Sequence, residues 1–299
     1  MKWIVVVLVL LVSVASSAQE KLLVTTYRYA DNDRLKNIRP LADYLANTCG
    51  CKTETKSYES VGAMLKGMEQ NEPQLVLMNT FGYLLSPKEG AYKPVAALQV
   101  AEGKKSTYQS VVVANKATGL NTLEALKEQA SSLRLLLVNP GSTSGNLVPR
   151  LGFASIGLTD ADQAFKEVAY SKNHGLTLKR VAEGQADVGA FGREEYDKLL
   201  VAEPSLAQKV NVLWTSQDIP LGPVVVHKEV SKKLRSCIEE TLLSLHEKNA
   251  IALEAVKGGW TEAIPADRYV RIAGKDYESW LKKNGSRETS IAIIQKFMN

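Results

Sequence analysis

Leu135-Leu136-Leu137-Val138-Asn139-Pro140-Gly141-Ser142-Thr143-Ser144-Gly145-Asn146-Leu147-Val148-Pro149-Arg150 decides how this chain is read. An apolar run fit for a buried strand enters an Asn-Pro-Gly turn. Three adjacent hydroxyl residues follow, and then a helical pattern begins. The first N–H groups of a helix lack intrahelical partners, and the helix dipole favours negative charge beside them. Ser142, Thr143 and Ser144 add donors that carry no charge. Such a loop suits a phosphate-like anion, although one hydroxyl acting as a helix cap would leave a similar pattern. Two enzyme motifs fail here at the reacting residue. A nucleophile elbow needs serine at the centre of Gly141 to Gly145, where Thr143 stands. A phosphate-binding P-loop needs a lysine, and the run has none.

Working outward, strand-like and helix-like segments alternate. Leu22–Thr26, Thr53–Lys56 and Leu75–Met78 read as strands, separated by helical faces at Leu35–Leu45 and Val61–Met68. That order predicts an α/β unit with a largely parallel sheet. A second cycle starts at the strand-like Tyr108–Ala114 and closes at Val210–Trp214. One further strand is expected at Pro223–His227, then a helix over Ser231–Glu247, with helical or irregular chain to the end. No flexible linker separates the two cycles. Two lobes are therefore expected, residues 19–107 plus 219–299 and an inserted 108–218, with a ligand cleft at the strand ends. His174 opens a second helix start, where an imidazole N–H can donate to an anion.

The ends and the composition narrow the function classes. Lys2, the apolar run Ile4–Val12 and the small residues Ser16-Ser17-Ala18 fit a signal peptide cleaved near Ala18. The run is too short for a membrane span, and membrane insertion after cleavage is not expected. Formal charge is +5 among scattered basic residues, so no nucleic-acid stripe is present. The chain has 3 cysteines and 3 histidines, without the spacing of a metal site, and no cofactor motif. Cys49 and Cys51 are read as either a close-spaced disulfide or two free thiols, and Cys237 as a small core residue.

Gly141 to Arg150 closely resembles the hydroxyl signature of the phosphate, phosphite and phosphonate-binding proteins of ABC transporters. Pro40-Leu41-Ala42-Asp43-Tyr44-Leu45, Phe81-Gly82-Tyr83, Tyr108-Gln109-Ser110-Val111, Gly184-Gln185-Ala186-Asp187 and Leu213-Trp214-Thr215-Ser216 resemble its other motifs in the same order. The resemblance implies an α/β, type II periplasmic-binding-protein-like fold, with two lobes joined by two crossover strands. It implies a periplasmic, non-enzymatic protein that captures a small phosphorus oxyanion for an inner-membrane ABC permease. An exported sensor of the same fold, docking on a receptor or histidine kinase, is the alternative. By the same resemblance, Ser142, Thr143, Ser144 and His174 hold the oxyanion, and Tyr58 and Tyr108 join them. Family members that take an aminoalkyl phosphonate ring its amine with acids. Glu194 falls near one such position, whereas Gly222 replaces another. Weak selectivity for aminoalkyl phosphonates is therefore expected.

Overall fold

The computed structural model describes residues 19–29, 32–86, 90–101, 108–283 and 287–297. The expected signal peptide and the approach to Tyr108 over 102–107 lie outside these. Among the described residues, no helix is long and apolar enough to cross a membrane.

The described strands are, in chain order, β1 (Lys21–Tyr27), β2 (Lys52–Tyr58), β3 (Leu75–Leu77), β4 (Tyr92–Val100), β5 (Ser110–Asn115), β6 (Arg134–Leu137), β7 (Glu167–Tyr170), β8 (Val188–Gly192), β9 (Val210–Thr215), β10 (Pro223–His227) and β11 (Ala266–Arg271). They form a six-stranded sheet in the order β11-β4-β10-β3-β1-β2 and a five-stranded sheet in the order β7-β6-β8-β5-β9. β1 runs parallel to β2 and β3, whereas β10 and β11 run antiparallel to their neighbours. The first sheet is thus mixed rather than largely parallel, because β10 and β11 run against β3 and β4, and β4 and β11 are strands the sequence pattern did not show. Pro94 interrupts the apolar run of β4 and is accommodated beside a register shift against Val224 and Val225. β11 buries Ala266 and Tyr269 and leaves Arg268 and Arg271 exposed, so its charged side chains face outward.

Each sheet is buried by the helices its own sequence patterns. In the helix Leu35–Cys49, Ile38, Leu41, Ala42 and Leu45 share one face and pack with the helix Lys232–Leu243 on the first sheet. These two helices are covalently joined by a Cys49–Cys237 disulfide with Cα atoms 5.8 Å apart. Cys237 is therefore a bridge partner rather than a core thiol, and Cys51 is the free, buried cysteine. Helix packing decides this pairing: it brings positions 188 residues apart within bridging range. Cys51, already at the foot of β2, turns its sulfur towards Leu45 O.

The lobes meet along an apolar seam in which Met64, Met78 and Phe81 of one side pack with Leu147, Val148 and Leu151 of the other. Two chain crossings join them side by side. Ser216 N donates to Ser110 O and Ile219 N to Tyr108 O, both at 2.9 Å. The Ser216 hydroxyl oxygen in turn accepts from Ser110 N. Trp280 Nε1 donates to Asp218 O and braces these paired crossings from the C-terminal helices.

Candidate functional site

β6 ends in the decisive loop. Ser142 caps the following turn, its Oγ accepting from Gly145 N at 3.0 Å. Thr143–Leu147 then winds as a π-helical turn before the helix Val148–Ser155. Wide turns of this kind are enriched at functional sites. Gly145 is required there, since a Cβ would sit 2.3 Å from Val138 Cγ2. The wide turn leaves the three hydroxyl residues at the wall of a cavity of about 430 Å³ between the lobes. All three are buried from bulk water yet line that cavity.

His174 starts the helix His174–Ala182 on the same lobe and faces the same cavity. Its Nδ1 lies 2.9 Å from Gly192 N. A backbone N–H only donates, so Nδ1 is the acceptor and the proton of the neutral ring is on Nε2. Burial holds the imidazole down to a pKa of about 4, so the ring is a neutral donor at physiological pH. Nε2 then donates to the Tyr29 hydroxyl at 2.9 Å, and that hydroxyl donates to Ser142 Oγ at 3.2 Å. Ser142 accepts from both Tyr29 and Gly145, and its own proton remains to donate.

Tyr29 comes from the other lobe, just past β1, and the sequence reading missed it. Tyr58 does not reach the cavity. It lies at the end of β2 with its ring beneath the helix Val61–Glu69, where its hydroxyl donates to Glu72 Oε2 at 2.8 Å. This corrects the expectation: the lobe-one tyrosine at the hydroxyl loop is Tyr29. Tyr108 does line the cavity, fully enclosed, and burial raises its hydroxyl well above the ordinary value. Asn79 and Phe81 complete the closure. Asn79 Nδ2 donates to Gly141 O and Phe81 N to Thr143 Oγ1.

Glu194 is not a solvated helix cap. Its carboxyl folds back over Gly192 into the cavity wall, and Oε2 has no hydrogen-bond partner. Burial first, and the nearby Glu262 second, push its pKa up to about 8. Its neighbour Glu195 pairs with Lys198 instead. Glu262 lines the cavity too, with its carboxyl raised by burial against the opposing pull of Arg34. Gly222 has no room for a side chain, because a Cβ would lie 1.9 Å from Met78 O. Glu262 instead lines a small pocket beside Gly222. Arg34 supplies the cation among the described cavity-lining residues. No cluster of metal-ligating side chains occurs among the described residues.

Residues 25–270 match the family model described as ABC transporter, phosphonate, periplasmic substrate-binding protein. The chain belongs to that family. It is 26% identical over 206 residues to the phosphonates-binding periplasmic protein of Escherichia coli (strain K12), covering 69% of this chain and 60% of that protein. It is 26% identical over 205 residues to the phosphate-import protein PhnD of Mycolicibacterium smegmatis, covering 63% of each. The chain thus spans about three fifths of the length of these curated relatives. Its fold is that of PhnD1 from Prochlorococcus marinus, solved in complex with methylphosphonate, at a TM-score of 0.66 and 18% identity over 91% of this chain and 99% of that one. In this family member, then, the hydroxyl loop, His174, Tyr108 and Glu194 converge on one interlobe cavity, and Tyr58 stays outside it.

Proposed function

We propose that this chain is an extracytoplasmic receptor that closes on a small phosphorus oxyanion, a phosphonate, phosphite or phosphate, and delivers it to an inner-membrane ABC permease. The observation that carries the reading is the arrangement of Ser142, Thr143, Ser144 and His174 Nε2–H around one cavity between the lobes. These donors are neutral and fixed by the backbone, so they need no counter-ion rearrangement when an anion enters. The crossings at Tyr108–Ser110 and Ser216–Ile219 act as the hinge, and they bound the inserted lobe 108–218. Export through a signal peptide ending near Ala18 places the receptor in the periplasm.

Calorimetry of the chain with phosphate, phosphite, methylphosphonate and 2-aminoethylphosphonate tests this. Saturable one-to-one binding of at least one of them supports the reading. Absence of binding to all four at millimolar concentration overturns it.

A further inference from the structure

The cavity holds more charge than a bare oxyanion uses. Arg34 stands just before the helix Leu35–Cys49 and is 4% exposed. Its Nε donates to Gly259 O, and its guanidinium packs 4.5 to 5.1 Å from the ring centres of Tyr27, Tyr29 and Trp260. Its Nη1 is buried with no hydrogen-bond partner, and Glu262 is the carboxyl whose charge it feels across the cavity. A buried guanidinium whose hydrogen bonds are incomplete is costly even with the Glu262 carboxyl nearby, and a cavity-lining one invites a ligand anion to complete it.

Besides Glu195, which Lys198 pairs, the same cavity carries two carboxyl groups that an anion site would ordinarily exclude. Glu194 and Glu262 both line it, and the Oε2 of Glu194 lacks a partner. A ligand with only a negative tail would meet these acids, and one with only a positive tail would meet Arg34. A tail bearing both signs satisfies both.

Building on the phosphonate reading of the same cavity, we propose that its organic half receives an α-amino carboxylate, so that the ligand class is the amino-acid phosphonates. Arg34 takes the carboxylate, and Glu194 and Glu262 take the ammonium. The planar fork of a guanidinium matches a carboxylate's two oxygens, and its pocket of three rings fixes that fork in place. Raised carboxyl pKa values at both acids, driven by burial, fit groups that wait for a cation. The hydroxyl loop and His174 keep the phosphonate on the lobe opposite Arg34 and Glu262, with Glu194 beside it on that lobe.

The test is calorimetry with methylphosphonate, 2-aminoethylphosphonate and 2-amino-3-phosphonopropionate, on the chain and on Arg34→Gln, Arg34→Lys and Glu262→Gln. The carboxylate-bearing compound binds at least about tenfold more tightly than 2-aminoethylphosphonate, one decade in Kd. That ratio collapses in Arg34→Gln and is partly kept in Arg34→Lys. Glu262→Gln weakens both amino compounds relative to methylphosphonate. Equal or weaker binding of 2-amino-3-phosphonopropionate by the unmodified chain overturns the proposal, whether or not the variants fold. So does a ratio that survives Arg34→Gln. Methylphosphonate binding without the preference sinks only this inference, whereas silence towards all three compounds removes the oxyanion reading as well.

Discussion

The Tyr29 hydroxyl lies 2.9 Å from His174 Nε2, and the two residues belong to opposite lobes. The contact is a relay, since His174 donates to Tyr29 and Tyr29 donates to Ser142. It joins the lobes through the same donors that face the cavity.

Tyr29→Phe removes the middle of that relay. A hydrogen bond to a charged partner contributes about 1.5–3 kcal/mol, so affinity for every phosphorus oxyanion drops roughly ten- to a hundredfold. Isothermal titration with phosphate and methylphosphonate checks this. Unchanged or tighter binding of both contradicts it. Tyr58→Phe, by contrast, breaks only the bond to Glu72. It costs about 1.5–3 kcal/mol of stability and leaves the cavity wall intact.

The contrast between those tyrosines shows what the sequence holds. Ser142 to Ser144 were legible because three hydroxyls, a preceding apolar strand and a following helix are all contiguous. His174 was legible because it opens its own helix. Tyr29, Arg34 and Glu262 were not, since the wall they form joins the first strand to a turn far down the chain. Arg34 meets Gly259 across 225 positions, and no local period records that contact. Where Gly222 stands without an acid, Glu262 beside it reaches the cavity from another segment. β4 and β11 escaped notice for local reasons, a proline in one and outward charges in the other.

The disulfide gives a direct chemical count. Under denaturing but non-reducing conditions, alkylation labels Cys51 alone, and mass spectrometry finds Cys49 linked to Cys237. Replacing Cys237 with serine lowers stability by about 2–5 kcal/mol, because the bridge closes a long loop. A Cys49–Cys51 peptide after digestion would contradict the structure.

Acidity acts on the lobe around the cleft from both sides. Glu194 has a folded pKa of about 8 against an ordinary 4.5, so the folded chain keeps a proton that the unfolded chain loses between those values. Stability therefore falls as pH rises through that window. Glu194→Gln removes this dependence, raising the melting temperature relative to the parent chain at pH 8 and changing it little at pH 4.5. His174 works in the opposite direction. Its folded pKa is about 4 against an ordinary 6.5, so its contribution is complete above 6.5 and is lost as pH falls towards 4. Thermal melts of both chains across this range check the signs, and parallel curves would contradict the buried state of Glu194.

The hydroxyl loop carries the central claim. Calorimetry of methylphosphonate with the chain carrying Ser142→Ala, Thr143→Val and Ser144→Ala tests it most directly, provided that the variant's melt remains cooperative. Three hydrogen bonds to a charged group, each worth about 1.5–3 kcal/mol, are lost together, so binding falls by about three or more orders of magnitude. A folded triple variant that still binds methylphosphonate as the parent chain does would contradict the account.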